Sequence, residues 1–485
     1  MGDEMENDGG VLLGQGSGTL TTTDCVAQSM AVGPIFSAAV IGGALAAFAG
    51  GVGPFVVILT MVGILGLGYV ISEFAKRYSG AGAVYEFLAH TLGKKAAIFG
   101  AAAYFLAYAF LVGGLPMAFG STAVPFWQTE FHHNVPWWIF GVALIVIVTV
   151  INVLGITFSV RAQLSVVALS IIPFIILSVV VIYKGGVSGN HFSVFEPNHI
   201  AAGGSVFKGL LFAILMFVGF ELAAVLGEET AKPKRSIPIA IFTVIIITAI
   251  IYLVTQYIGT IGSGGPKNIP FDFQAIATHY VGSWLSALIG IAIMLDIIGI
   301  AIGFSAACAR GLYALSRDEL LPKAFTRVSS RRVPIVGTMS ISALMVILMV
   351  LAGLIWNWSN TTTNPAVPFD GFWMFLVASA FGSFLISLIY AVLCVAAVKM
   401  FIAEKTLGRG AVPALFGFLI SAGGIAAQFI SGLAPTGTAL QGRNLALIGI
   451  VIIVVWLVYN VMRRPAAVDA AGNHALQHRL TETGL

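Results

Sequence analysis

Apolar residues run along this chain in blocks of about 20, the length at which a helix crosses about 30 Å of hydrocarbon. Twelve such blocks begin near Cys25, Pro54, Ala97, Trp137, Gln163, Val206, Ile239, Ser283, Ile335, Gly371, Ala411 and Asn444. The pattern predicts an all-α integral membrane protein with 12 transmembrane helices, the eighth and tenth blocks long enough to tilt or to extend past the bilayer. Residues 1–18 are acidic and glycine-rich, and the stretch after Arg464 is polar. We expect a disordered leader over 1–18, a transport core over 19–400 holding helices 1 to 10, helices 11 and 12 over 401–464, and a flexible tail over 465–485. No basic stretch precedes an apolar one near the start, so no cleavable signal peptide is expected.

Composition places these blocks in lipid. Hydrophobic residues make up 58% of the chain and charged ones 9%, against about 25% charged in soluble proteins. The net charge of +4 carries no nucleic-acid signal; its distribution carries topology. Of the 24 lysines and arginines, all but Lys184, Lys208, Lys267 and Arg443 fall in alternate loops. The positive-inside rule then places both termini in the cytoplasm of a multi-pass plasma-membrane protein.

Two blocks are interrupted in matching places. In the first, Ala31-Val32-Gly33-Pro34-Ile35-Phe36 sets a glycine and a proline in mid-span, and proline removes a backbone donor and clashes with the preceding turn. In the sixth, Phe217-Val218-Gly219-Phe220-Glu221 sets a glycine two residues before a carboxylate. These spans open the two five-helix halves, 1 to 5 and 6 to 10. An odd number of helices per half makes the repeat inverted, and paired breaks point to a substrate site at the midplane. Each break alone reads more readily as a proline kink or a glycine packing contact; the pair in register favours the site.

Two carboxylates lie within the spans, a costly placement that marks functional candidates. Glu221 either takes and releases a proton or clamps broken backbone. Asp296 lies on a face shared with Gly299, Gly303, Ala307 and Arg310, which should pack against another helix; it either carries a proton or cationic attraction, or is hydrogen-bonded to a neighbour. Tyr104 and Tyr108, four apart on the third span, share a face that could line a path or simply pack. Cys25, Cys308 and Cys394 read as small buried side chains rather than disulfides or metal ligands. No metal cluster, nucleophile triad or cofactor motif is found, and enzyme chemistry is not expected. His132-His133 reads as a solvated pair, and Asn357-Trp-Ser359 and Asn360-Thr-Thr362 fit a glycosylation pattern in a predicted outer loop.

Four motifs in order resemble the amino acid, polyamine and organocation transporter superfamily. They are Glu73-Phe-Ala-Lys76-Arg77-Tyr-Ser-Gly80-Ala-Gly82-Ala-Val-Tyr85, Asn152-Val-Leu-Gly155 running on to Arg161-Ala-Gln163, the sixth-span segment from Phe217 through Glu228-Glu229 to Lys232-Pro233, and Ala309-Arg310-Gly-Leu-Tyr313-Ala-Leu-Ser-Arg317-Asp318. The resemblance implies a leucine-transporter-type fold, five plus five inverted helices and two more, that moves amino acids or amines by alternating access. It implies that substrate carboxylate meets backbone N–H groups around Ala31, Val32, Gly33, Pro34 and Ile35, and that the amine meets carbonyls of Leu215 and Val218, with Gly219 allowing close approach. Two departures stand out. Pro34 withdraws one expected N–H, so the carboxylate sits elsewhere or the substrate is an amine. Position 215, often an aromatic gate in relatives, is leucine, leaving Phe217 or Phe220 as a lid or as packing. Glu228, Glu229, Lys232, Lys234 and Arg235 either orient the helix or form an inner gate with Arg77 or Arg317.

The fifth span has no mid-span lysine, which some proton-coupled relatives carry. Ser305 could give one hydroxyl to a sodium site, or back-bond to its own helix. We expect a secondary transporter importing an amino acid, with H+ as coupling ion. An amine or polyamine permease, an exchanger, and more distantly a non-transporting nutrient sensor are the alternatives.

Overall fold

Helices account for every long element in the computed structural model, which describes residues 20–463 except 79, 81, 188, 198–204, 267, 362–370 and 431–436, with the backbone alone at 356–361, 438, 439 and 463. The expected leader and tail lie outside the described residues. In chain order the helices are α1 (residues 22–49), α2 (Gly53–Ala75), α3 (Val84–Leu92), α4 (Lys94–Phe131), α5 (Trp137–Val153), α6 (Ile156–Lys184), α7 (Val206–Leu226), α8 (Pro233–Gly262), α9 (Phe273–Tyr280), α10 (Ser283–Arg317), α11 (Ile335–Thr361), α12 (Gly371–Ala403), α13 (Leu407–Ala427) and α14 (Thr438–Arg463). Among the described residues β pairing is limited to isolated bridges, of which Leu20 with Thr230 ties the start of the described chain to the end of α7.

Among the described residues, ten segments are long and apolar enough to span a membrane, against the twelve expected blocks. The difference has two sources. The first segment, Thr22–Ala75, runs 54 residues and contains both α1 and α2, separated only by the turn Gly50–Val52. The fourth block is α5, whose 17 residues make a helix of only about 25 Å. Asn357-Trp-Ser359, and Asn360 with Thr361, fall within α11 rather than in a loop, while Thr362 lies outside the described residues.

Burial separates a core from a lipid-facing rim. The apolar window of α7 is buried throughout, while that of α14 is only 22% buried and that of α11 33%. A helix enclosed on all sides in an apolar protein is positioned by helix packing, and small residues let backbones meet. Gly219 in α7 shows how closely: a Cβ there would lie 2.9 Å from the backbone nitrogen of Val32 in α1. The breaks of the two half-opening helices therefore touch.

Candidate functional site

In α1, Gly33 closes the turn Met30–Val32 in the left-handed region (φ +60°), and Pro34 starts the continuing helix. Glycine tolerates that φ, and proline fits the first helical position, where an N–H would lack a partner anyway. In α7, Val218 (φ −59°, ψ 125°) and Gly219 (φ +117°) form a type II turn closed by Phe220 N–H donating to the Phe217 carbonyl at 3.3 Å. That turn requires φ > 0 at its third residue, which glycine supplies.

The helix after Pro34 begins with two N–H groups in need of acceptors, and Gly33 has no side chain to cap them. Asp296 of α10 caps them from across the bundle: Ile35 N–H and Phe36 N–H both donate to its Oδ2, at 2.9 and 2.8 Å. The acid is fully buried. Ser170 Oγ of α6 lies 3.3 Å from Oδ1 and 2.8 Å from the carbonyl of Val167. The glycine stripe beside Asp296 packs as expected, Gly299 against Val166 and Val167, and Gly303 against Ala31 and Gln163.

Glu221 follows the α7 turn and clamps it. Its Oε1 accepts from Tyr108 at 2.6 Å and from Tyr104 at 3.2 Å, and Oε2 accepts from Gly219 N–H at 3.3 Å. Tyr390 of α12 faces the same carboxylate without hydrogen-bonding geometry. Tyr104 and Tyr108 thus tie α4 to the α7 turn.

Between the breaks lies a small cavity of about 30 Å³, room for little more than a water molecule. Val32, Phe36 and Ser37 of α1, Leu215 and Val218 of α7, Leu111 and Leu115 of α4, Ile300 and Phe304 of α10, and Phe375 and Ser379 of α12 line it. Its wall is apolar except for two hydroxyls. Ser37 Oγ donates to the Val32 carbonyl, whereas Ser379 Oγ is buried without a partner. A larger vestibule of about 470 Å³, reaching the exposed Asp272, adjoins it on the side away from the basic loops. Phe36 lines both spaces and so stands at the partition between them, and it meets Phe375, which lines the smaller one, edge-on with ring centroids 5.3 Å apart.

The opposite end is sealed by ions. Arg310 holds Glu229 through two bonds (2.8 and 3.2 Å), both residues buried, and Arg317 holds Glu228 at 3.0 Å. Arg77, the other expected gate partner, pairs instead with Glu73 and Glu404. Beside Arg317 and Glu228, Glu86 of α3 is buried and accepts from Gly80 N–H. Burial, and then Glu228, push its carboxyl up to about 8.

Of the residues read from sequence, Val32, Leu215 and Val218 line the small cavity. Ile35 gives its N–H to Asp296, and its side chain borders a separate apolar groove between α6 and α8. Ala31, Gly33, Pro34 and Gly219 shape the breaks without lining the cavity. Phe217 packs on Tyr252 and Phe220 on Tyr390, both fully buried and away from the cavity, so the aromatic partition comes from α1 and α12 instead. Ser305 Oγ is buried with no hydrogen bond, so it does not back-bond. The three cysteines are free and buried. Sequence reading missed Phe36, Phe375 and Ser379. A signal existed: Ser379, Ser383 and Ser387 recur every four residues along α12, a polar stripe on one face of an apolar helix.

The amino acid permease family matches residues 18–458, and the chain belongs to it. The lysine-specific permease LysP of Lactococcus lactis subsp. cremoris is 25% identical over 249 residues, 45% of this chain and 47% of that protein. The cadaverine/lysine antiporter of Escherichia coli K12 is 25% identical over 311 residues, 63% of this chain and 68% of that one. The branched-chain amino acid permease BcaP of Bacillus subtilis is 25% identical over 296 residues, 55% and 60% of the two chains. The match thus spans about half the length of LysP. Among solved structures, the manganese transporter of Eremococcus coleocola, crystallised with an aromatic bis-isothiourea substituted compound, superposes with TM-score 0.53 at 10% identity over 93% of this chain and 95% of its own. At that identity the likeness carries the fold alone, a leucine-transporter-type arrangement of helices.

Proposed function

We propose that this member of the amino acid permease family is a secondary active transporter that imports an amino acid with an apolar side chain across the plasma membrane by alternating access, together with a proton. The observation that carries this reading is the placement of a small, mostly apolar cavity between two broken helices, with a vestibule on one side and a buried ion-pair seal on the other. A continuous pore would have no such partition. With the basic loops in the cytoplasm, the vestibule faces outside and the seal faces in. The cavity wall presents no carboxylate and no cation, so a charged side chain would be buried unpaired, which is costly. An aliphatic side chain meets Leu111, Leu115, Ile300 and Phe304 at no such cost, while the substrate ammonium meets the broken backbone at Leu215 and Val218. Leu111, Leu115 and the Phe36–Phe375 partition must part to admit it.

The amine that lacks the carboxylate is the second reading, favoured by the occupation of the α1 N–H groups by Asp296. A panel of amino acids and their decarboxylated amines, competed against labelled isoleucine in proteoliposomes with and without pH and sodium gradients, separates the two. Apolar amino acids should compete, lysine and polyamines should not, and an inward proton gradient should drive accumulation. Competition by amines alone would sink the amino acid reading, and indifference to the pH gradient would sink the proton.

A further inference from the structure

Resting on that reading, we propose that Asp296 is a resident competitor for the substrate's carboxylate: it occupies the two helix-end N–H groups until it takes up a proton, and a carboxylated substrate binds by taking its place. The α1 helix from Pro34 presents only two donors free of the helix's own ladder, Ile35 N–H and Phe36 N–H, since Pro34 has none and Ser37 N–H donates to the Gly33 carbonyl. Both already bond one oxygen of Asp296. A second carboxylate cannot accept from them at the same time, and two like charges in one buried site cannot both persist.

The surroundings hold a place for the proton. Ser170 Oγ has a single hydrogen, which can go to Oδ1 while Asp296 is ionised and swing to the Val167 carbonyl at 2.8 Å when the acid is protonated. The hydroxyl then offers a lone pair to Oδ1 at 3.3 Å, where a protonated carboxyl can donate. No cation stands by to hold Asp296 ionised. Between residues 25 and 72 of α1 and α2, 162 and 183 of α6, 236 and 262 of α8, and 284 and 309 of α10, the sequence carries no lysine, arginine or histidine, and Asp296 is its one carboxylate. The lysine-free α5 and α11 add none there, and His279 of α9 is exposed. The titratable groups facing inward are Tyr252 of α8, which donates to the Met216 carbonyl, and Tyr104 and Tyr108 of α4, which are spent on Glu221.

The proton has a route and a consequence. Ile293, one turn before Asp296 on α10, lines the vestibule, so the acid lies just beneath its floor. Phe36 gives its N–H to Asp296 and its ring to the partition with Phe375. Releasing that N–H frees the backbone of the partition residue as the substrate carboxylate arrives. Ser379 Oγ, buried, unpartnered and lining the same cavity as Phe36, waits as a further donor.

The linkage predicts that binding one carboxylate takes up one proton, so affinity rises tenfold for each unit fall in pH above the titration of Asp296. The test is equilibrium binding of labelled isoleucine and of its decarboxylated amine, 2-methylbutylamine, to the full chain in detergent between pH 5 and 8. Isoleucine affinity should climb as pH falls, and that of the amine should stay level. In Asp296→Asn, whose amide oxygen can still cap the helix, isoleucine affinity should lose its pH slope. A slope that survives in Asp296→Asn, or that the amine shares in the intact chain, overturns the proposal. A purely capping role would leave the slope unmoved in the variant. Absence of isoleucine binding at every pH while amines bind would instead defeat the amino acid reading on which it rests.

Discussion

At the scale of single residues, two glycines and an acid make the site. Gly33 and Pro34 were legible because glycine and proline in mid-span have few structural meanings. Asp296 was legible as an expensive charge, but not as a cap, because its partners lie 260 and 261 residues away and nothing local announces them. Phe217 and Phe220, read as a lid or as packing, both pack for a similar reason: at the break, the direction of a ring depends on the turn, and only the fold sets the turn. Gly219 is the most constrained position. A Cβ there sits at φ +117° and 2.9 Å from the Val32 nitrogen, so Gly219→Ala should cost at least about 1–3 kcal/mol from backbone strain alone and abolish uptake. Gly408→Ala, which meets nothing within 4 Å, should be neutral or slightly stabilising. Thermal unfolding in detergent compares the two, and equal melting temperatures would contradict the close approach of the breaks.

At the scale of elements, the apolar blocks gave twelve of the fourteen helices in order, while the short α3 and α9, 9 and 8 residues long, lie outside them. What the blocks could not give was the company Glu86 keeps, since Glu228 and Arg317 arrive from α7 and α10. The consequence is a pH dependence outside the membrane spans. Its folded-state value of about 8 stands above the ordinary 4.5, so the fold favours the protonated acid. That contribution is complete below the ordinary value and is lost as pH rises through about 8. Between pH 6 and 9 the melting temperature of the intact chain should therefore fall, and Glu86→Gln should fall less. Parallel curves for the two would show that Glu86 does not titrate in this window.

At the scale of the whole molecule, the distribution of lysine and arginine predicted a cytoplasmic side; ion pairs lie at the end that carries the basic loops, and a vestibule lies at the other. The sequence held the parts of the inner seal, but not the choice of Arg310 and Arg317 over Arg77, which depends on where α2 and α12 come to rest. Nor could it show how small the cavity between the breaks is, for its volume is a matter of packing among α1, α4, α7, α10 and α12. The central claim is that substrate passes through this cavity. Its most direct test is Ser379→Cys in a chain with Cys25, Cys308 and Cys394 replaced by alanine, reacted with a small methanethiosulfonate reagent from the vestibule side. The account predicts slow modification that a saturating transported amino acid blocks; modification at an unchanged rate in the presence of a substrate that is being transported would contradict it.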